Sequence, residues 1–127
     1  DVKRENIILK LPAYLAPYKA AVFPIVNDDK MIKLSREVFE SLRAEWNVLF
    51  DNSGSIGRRY SRNDEIGTPL CITIDEQSLK DKTVTIRDRD TTKQVRVKIE
   101  DLHSVIAKVV KGESVLKLGK LVDTRVK

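Results

Sequence analysis

The amino-acid sequence predicts a single α/β domain, with about three helices on a mixed five-stranded β-sheet. Short apolar runs alternate along the chain with segments whose apolar residues recur at helical spacing. Two later segments alternate apolar and polar residues at every step, as half-buried strands do. A chain of 127 residues, 41% of them apolar, is long enough for one hydrophobic core. These observations predict one compact domain.

The first half of the chain predicts a strand, a helix and a second strand after an extended lead-in over residues 1–18. The apolar run 20–26 is too short for a helix, and its proline must lie at a strand end or edge. Residues 31–46 have the spacing of an amphipathic helix, and Val48-Leu49-Phe50 follows as a buried strand. A strand, a helix and a strand in about thirty residues predict a parallel pair.

The middle of the chain predicts a second helix and a third strand. Residues 55–66 are polar and basic, and Gly67 follows them as a plausible helix stop. The apolar run 70–74 predicts a strand, and residues 76–82 predict a loop.

The alternating segments 84–87 and 95–99 predict a hairpin, with its turn at residues 90–93. Acidic residues open the segment 100–111, lysines close it and a glycine follows, which predicts the last helix of the core. Residues 113–127 are a basic tail that forms a last helix or a strand. We therefore expect a domain over residues 1–112 and a basic C-terminal extension over residues 113–127.

The predicted hairpin places several cations on one face. With the turn at 90–93, Arg87 lies opposite Arg96, and like charges in that position destabilise a sheet. Either an anionic ligand or internal carboxylates must compensate them, and the sequence leaves both interpretations open. The cations are Arg87, Arg89, Arg96 and Lys98, and the carboxylates available are Asp64, Glu65, Asp88 and Asp90.

A second cluster lies on the predicted helix 55–66. Arg58 and Arg59 share a face with Arg62 at helical spacing. Tyr60 lies between them, and Asp64 with Glu65 follows. This combination is typical of proteins that bind single-stranded RNA, in which arginines bind phosphates, an aromatic ring stacks on a base and carboxylates accept from base amines. The alternative is a solvated helix whose arginines pair with its own acids and whose tyrosine is part of the core.

Composition gives weaker constraints. Lys and Arg outnumber Asp and Glu by 24 to 19, a formal charge of +5, which favours a polyanionic partner without proving one. One cysteine and one histidine, far apart, provide neither an intrachain disulfide nor a zinc site. No apolar run is long enough to cross a bilayer, and no phosphate-binding glycine loop or catalytic constellation is present. We therefore expect no catalytic residue, metal or cofactor in this chain.

Three motifs, in continuous order from about Ile8 to Val110, resemble one family. The segment Gly54 to Pro69 is similar to the stretch that follows the second strand of the C-terminal domain in glycyl-tRNA synthetases. Residues 85–90 and 94–96 resemble the hairpin of that domain, and residues 11–25 its beginning. Prolyl, threonyl and histidyl synthetases share the fold, but the Arg58-Arg59-Tyr60 run followed by Asp64-Glu65 favours glycyl. The loop 75–82 is more similar to the archaeal or eukaryotic branch than to the bacterial one.

The resemblance implies the anticodon-binding fold of class II synthetases and binding of the glycine tRNA anticodon stem-loop, which has two cytosines in its anticodon. It implies a ligase as the parent protein, a homodimer in the cytoplasm without a membrane partner. Its catalytic domain, with ATP and Mg, is absent from this chain. Replacing Arg59 or Arg87 by alanine is then expected to weaken binding without unfolding the domain. The residues expected near the anticodon are Arg58, Arg59, Tyr60, Arg62, Asp64, Glu65, Arg87, Asp88, Arg89 and Arg96.

Two rival functions remain at this point. The accessory subunit of mitochondrial DNA polymerase resembles the same synthetases and binds DNA and a protein partner without aminoacylation. The basic and acidic run at residues 58–65 argues against it, because such a protein has no anticodon to recognise. A metabolic α/β enzyme is the other alternative, and turnover of a small molecule would support it.

Overall fold

The computed structural model describes residues 11–122, which form six strands in one mixed sheet and four α-helices. The strands are β1 (Ala20–Pro24), β2 (Val48–Phe50), β3 (Leu70–Ile74), β4 (Thr83–Asp88), β5 (Gln94–Lys98) and β6 (Lys120–Val122). The helices are α1 (Asp29–Arg43), α2 (Ile56–Glu65), α3 (Glu76–Asp81) and α4 (Leu102–Val110). Short 3-10 helices lie at Ala13–Leu15, Ile99–Asp101 and Val115–Lys117.

The sheet has the strand order β2-β1-β3-β4-β5-β6. Strand β1 is parallel to both β2 and β3, and the pairs from β3 to β6 are antiparallel. The α/β class and the parallel pair predicted for the first half of the chain are confirmed. The sheet has one strand more than predicted. The predicted lead-in over residues 1–18 lies partly outside the described residues.

The two faces of the sheet differ in what covers them. Apolar residues of α1, α3 and α4 pack on one face and form the main core with the strands. The opposite face has a small apolar cluster of Ala21, Phe23 and Cys71, against which Ile56 and Tyr60 of α2 pack. Within residues 11–122, α2 is the helix that covers this second face, and its apolar residues pack on the β2-β1-β3 half.

Local capping explains where α1 and α2 begin. The Asp28 carboxylate accepts a hydrogen bond from the Lys30 amide at 2.8 Å, and Ser55 Oγ accepts one from the Arg58 amide at 3.3 Å. Helix α2 ends before Gly67, whose φ of 81° suits glycine. The predictions for these two helices and for α4 are confirmed to within a few residues. No helix in the described part of the chain is long and apolar enough to cross a membrane.

The predicted loop 76–82 is wrong, because it contains helix α3. Asp75 and Ser78 form a capping box, in which each side chain accepts a hydrogen bond from the other residue's backbone amide, both at 3.0 Å. The helix is only six residues long, so it shows too little periodicity to be predicted from apolar spacing. Lys82 closes it in the left-handed conformation, with φ of 58°.

The predicted hairpin register is also wrong, by two residues. Arg87 lies opposite Gln94, and Thr85 lies opposite Arg96. The turn is longer than predicted because the Asp88 carboxylate accepts bonds from the Thr91 amide and hydroxyl, each at 2.9 Å. A shift of two keeps every side chain on its predicted face, but it removes the expected Arg87–Arg96 repulsion.

The predicted C-terminal extension is partly integrated into the fold. Val115 is 1% exposed in the main core, and β6 pairs with β5 as the sixth strand. The last five residues of the extension, 123–127, lie outside the described residues. The described part of the chain therefore shares one core from its first strand through β6.

Candidate nucleic-acid interface

Helix α2 is fixed on the sheet by its apolar side. The ring of Tyr60 packs edge-on against Phe23, with centroids 5.5 Å apart, and its hydroxyl lies 3.1 Å from Thr73 Oγ1. Tyr60 therefore belongs to the small apolar cluster, as the alternative interpretation of the sequence expected. Burial raises the pKa of its phenol, so the hydroxyl stays protonated at neutral pH.

Arg59 lies inside the protein and joins α2 to two chain turns. It is 2% exposed, and its guanidinium donates to the carbonyl oxygens of Ser53 at 3.2 Å, Gly54 at 3.0 Å and Pro24. These bonds connect the end of β1 to the loop after β2. The side chain has little surface left for a ligand.

Arg62 approaches the same loop from the solvent side. Its Nη2 lies 2.8 Å from Asp51 Oδ2 and 2.8 Å from the Ser53 carbonyl oxygen, and 45% of its side chain is exposed. Partial burial raises the pKa of Asp51, but hydrogen bonds from Ser53 and Arg62 outweigh this effect and lower it. Arg58, by contrast, is exposed, and no carboxylate within residues 11–122 pairs with it.

Arg87 and Asp64 form a buried ion pair between β4 and α2. The guanidinium donates to both carboxylate oxygens, at 3.0 and 3.2 Å, and the Asp64 side chain is 1% exposed. The same guanidinium lies 4.6 Å from the centroid of the Tyr60 ring. Since Arg87 occupies both oxygens of Asp64, the acid that compensates Arg87 comes from within the protein.

Arg89 is buried at the base of the hairpin turn. It is 5% exposed and donates to the carbonyl oxygens of Gly67 at 2.8 Å and Leu11 at 2.6 Å, and to Asp90 at 2.9 Å. It therefore joins the start of the described chain to the end of α2. Asp88, next to it, is half-buried and accepts the turn bonds described above.

Arg96 completes the set of paired arginines. Its Nη2 lies 2.6 Å from Asp75 Oδ2, and Nη1 donates to Thr83 Oγ1 at 2.8 Å. Burial raises the pKa of Asp75, but bonds from Arg96 and Ser78 outweigh this effect and lower it. Glu65 is exposed near the end of α2, and no cation in the described residues pairs with it.

The sequence-predicted residues therefore fall into two groups. Four are buried by bonds within the protein: Arg59, Asp64, Arg87 and Arg89. The others keep solvent access to different degrees: Arg58, Tyr60, Arg62, Glu65, Asp88 and Arg96. The two stretches do meet in space, because Asp64 of α2 binds Arg87 of β4.

The sheet register shows what lies beside α2. Residues paired directly across strands share a face, so one row runs through Phe23, Thr73, Thr85, Arg96 and Lys120. The row begins with an aromatic ring under α2 and ends with cations beyond it. We call the α2-side surface of β4, β5 and β6 the open face. Its residues are Thr83, Thr85, Arg87, Gln94, Arg96, Lys98, Lys120 and Val122. Two of them are buried, Thr85 and Arg87, the latter against Asp64 of α2.

Helix α2 forms one wall of the open face. Gly57 and Ser61 lie on the same side of the helix as Asp64 at spacings of four and three, and Asp64 points toward β4. A Cβ placed on Gly57 would meet nothing within 4 Å, so space is open above the wall. Sequence reasoning missed this wall, Gln94 and Lys120 as site residues. The strand alternation was the signal available for Gln94.

Groups suited to covalent catalysis lie elsewhere. Burial raises the pKa of the Cys71 thiol to about 12, so the reactive thiolate is scarce at neutral pH. His103 lies 2.7 Å from Glu45 and 3.1 Å from Ser41 Oγ, a connectivity like that of a hydrolase triad. Ser41 lies within α1, where the backbone amides bond within the helix and cannot bind an oxyanion. No group of three potential metal ligands occurs in the described residues.

Comparison with known proteins identifies relatives of the whole domain. The family described as "Anticodon binding domain" matches residues 19–109. A glycine–tRNA ligase from Rhodopirellula baltica is 52% identical over 107 residues, which cover 84% of this chain and 20% of the ligase. The ligase from Archaeoglobus fulgidus is 46% identical, over 86% of this chain and 19% of the ligase. The chain thus spans about a fifth of the length of these relatives.

The fold also matches solved structures. A prolyl-tRNA synthetase from Cryptosporidium parvum superposes with a TM-score of 0.74 at 24% sequence identity, over 81% of this chain and 22% of that one. This similarity concerns the fold alone. A glycine–tRNA ligase from Corynebacterium glutamicum is 47% identical, over 85% of this chain and 23% of that ligase. The expected preference for the archaeal or eukaryotic branch stays a prediction.

Proposed function

Because the chain belongs to the anticodon-binding domain family, we propose that it binds the anticodon stem-loop of glycine tRNA. The observation that carries the proposal is its identity of 43–52% to proteins named glycine–tRNA ligase. In this proposal the chain positions tRNA for a catalytic domain that lies outside it. ATP and Mg act in that domain, and the parent ligase is a cytoplasmic homodimer.

The open face and the α2 wall support RNA binding. The β5 and β6 part of the open face is polar and exposes Lys98, which lies 4.0 Å from Glu100, and Lys120, which pairs with no carboxylate in residues 11–122. Arg58 adds an exposed cation on α2 that pairs with no carboxylate in the described residues. Exposed cations that are not already neutralised are the groups free to replace counterions on an RNA backbone.

The buried arginines support the same function indirectly. Arg59, Arg87 and Arg89 hold α2, the hairpin turn and the loop after β2 in fixed positions. A surface that is ordered before binding loses less conformational entropy when RNA arrives. We assign these three residues, and Asp64, to positioning rather than to direct contact.

Glu65 is the carboxylate best placed to recognise a cytosine. The cytosine amine donates a hydrogen bond that a carboxylate can accept. Both oxygens of Asp64 are occupied by Arg87, and Asp88 is engaged in the hairpin turn. Glu65 is exposed at the end of α2 without a cation partner in the described residues.

The test is a titration of the chain with glycine tRNA anticodon stem-loop and with a loop whose anticodon cytosines are replaced. We expect the replacement to cost about 1–3 kcal/mol for wild type and less for Glu65→Ala, which removes the acceptor. The control is Glu37→Ala, with the same charge change on the exposed side of α1, and it should retain the wild-type preference.

Two results would contradict the proposal at different levels. Equal binding of both loops by wild type would reduce the interaction to electrostatic attraction. If Glu65→Ala and Glu37→Ala prefer the cytosine-containing loop equally, Glu65 does not recognise a base. The proposed function of the domain would still stand. The sequence also raised a DNA polymerase accessory subunit, and no observation on the structure favours it.

A further inference from the structure

The chain continues past the family match, which ends at residue 109, into an ordered segment. Ser114 Oγ accepts a bond from the Leu116 amide at 3.3 Å, and Val115 is 1% exposed in the main core. Strand β6 then pairs antiparallel with β5. The segment is therefore an anchored part of the sheet.

Gly119 fixes how β6 meets β5. A Cβ at this position would lie 2.6 Å from Val97 Cγ1 and 2.8 Å from the Arg96 carbonyl oxygen, closer than real contacts allow. The glycine is thus required by close packing against β5. This contact and the ladder together set the register of β6.

That register places a new cation on the open face. Lys120 lies opposite Arg96, whereas Leu121 lies opposite Val95 on the other side of the sheet. Like charges in directly opposite positions destabilise a sheet, but Asp75 already neutralises Arg96 at 2.6 Å. Lys120 is exposed and has no carboxylate within 4.0 Å in the described residues.

We propose that β6 extends the RNA-binding surface, with Lys120 contacting a phosphate of the stem-loop. The inference rests on the proposed function, and it adds a strand that lies outside the matched family region. A lysine ammonium acts as a point charge, which suits a phosphate better than the fixed pattern of a base edge. Lys120 therefore contributes affinity without sequence preference.

The test measures stem-loop affinity at several salt concentrations for wild type, Lys120→Ala and Lys33→Ala. Lys33 is exposed on α1, on the far side of the sheet, so its replacement makes the same charge change away from the open face. Loss of one phosphate contact lowers the slope of log affinity against log salt by about 0.7–0.9. We expect this change for Lys120→Ala, with an unchanged ratio between loops, and no change for Lys33→Ala.

Two further variants separate charge from structure. Lys120→Arg keeps the cation and should retain the wild-type slope. Gly119→Val disturbs the β5 contact and should reproduce the loss seen for Lys120→Ala, while circular dichroism confirms that the domain is folded.

The failures are distinguishable. Wild type that does not bind the stem-loop overturns the proposed function and this inference with it. Wild type that binds, with Lys120→Ala and Lys33→Ala equal in affinity and slope, overturns only the role of β6.

Discussion

Single guanidinium groups in this protein act as multiple donors to backbone carbonyls. Arg59 and Arg89 each bind carbonyl oxygens from two or more chain segments, at positions where regular structure ends. An arginine has five donors in a rigid planar arrangement, and a lysine cannot satisfy the same carbonyls in the same geometry. These arginines stabilise the loops that surround the proposed interface.

The buried Arg87–Asp64 pair gives a prediction at this scale. Asp64→Leu leaves the Arg87 charge buried without a partner, and we expect a loss of about 3–5 kcal/mol in unfolding free energy. The double variant Asp64→Leu/Arg87→Met removes both charges and should be far less destabilised than the sum of the single variants. Urea unfolding followed by circular dichroism measures all three, with Arg87→Met as the remaining single variant.

If the losses in unfolding free energy of the two single variants add up to that of the double variant, Asp64 and Arg87 do not interact. This result would contradict the hydrogen bonds between them at 3.0 and 3.2 Å. The burial also changes the expectation for the alanine variants of Arg59 and Arg87. Both are now expected to lower stability, so weaker binding by either variant has to be separated from partial unfolding. Arg58 and Lys120, which are exposed, are better probes of direct contact.

Among the elements, α2 and α3 show two ways of holding a short helix on a sheet. Helix α2 inserts Ile56 and Tyr60 into a small apolar cluster and adds the buried ion pair. Helix α3 depends on its N-terminus, where Asp75 both caps the helix and pairs with Arg96 of β5. One carboxylate thus connects helix capping to the polar side of the sheet.

The α3 cap can be tested by comparing three variants. Ser78→Ala removes one side of the capping box and should cost about 1 kcal/mol. Asp75→Ala removes the cap and the partner of Arg96, so it should cost more than Ser78→Ala. Asp75→Asn keeps a good capping side chain, so it should cost less unfolding free energy than Asp75→Ala.

Chemical denaturation provides the free energies, and Lys80→Ala on the exposed side of α3 is the control, expected within about 0.5 kcal/mol of wild type. Equal values for Asp75→Ala and Ser78→Ala would mean that the Arg96 pair adds nothing to stability.

For the whole molecule, the sheet divides into a covered half and an open half on its α2 side. Apolar residues on β1 and β3 continue through the register into polar and basic residues on β4, β5 and β6. Helices on the other face bury the whole width of the main core. The fold can leave the polar half open because its stability comes from the opposite side.

Acid stability is a prediction at this scale. The pKa values of Asp51 and Asp75 are lowered from the usual 3.8 in the folded protein. The unfolded chain therefore binds protons first as pH falls, so the stability from these groups is full above the unfolded pKa and is lost through the lower folded values. We expect a nearly constant unfolding free energy from pH 7 to 5 and a decline below pH 4.

The double variant Asp51→Asn/Asp75→Asn checks the source of that decline. It should be less stable than wild type at pH 7 and should show a shallower loss between pH 4 and 3. Urea unfolding at each pH measures both effects. A decline as steep as that of wild type would assign the acid sensitivity to other carboxylates.

Most of the architecture was determined locally, and the sequence alone was enough to predict it. Helices α1 and α4 have apolar stripes, and β1 and β3 are mostly apolar runs of five residues, because burying them against one core is the main driving force. Cap residues such as Ser55 and stops such as Gly67 set the ends of α2 through neighbouring backbone groups. Helix α3 and strand β6 are too short to have such a signal.

Which polar groups face solvent was decided only by the tertiary structure. Sequence spacing puts Arg58, Arg59 and Arg62 on one helix within a few residues, but neighbouring side chains point in different directions, so Arg59 is buried and Arg58 is exposed. The pairing of Arg87 with Asp64 joins residues 23 apart, and the register that gives Lys120 its position depends on the pairing of β6 with β5 and the packing of Gly119. Patterns along the chain are set by local periodicity, whereas the neutralisation and exposure of a charge depend on distant groups that only the folded chain brings together.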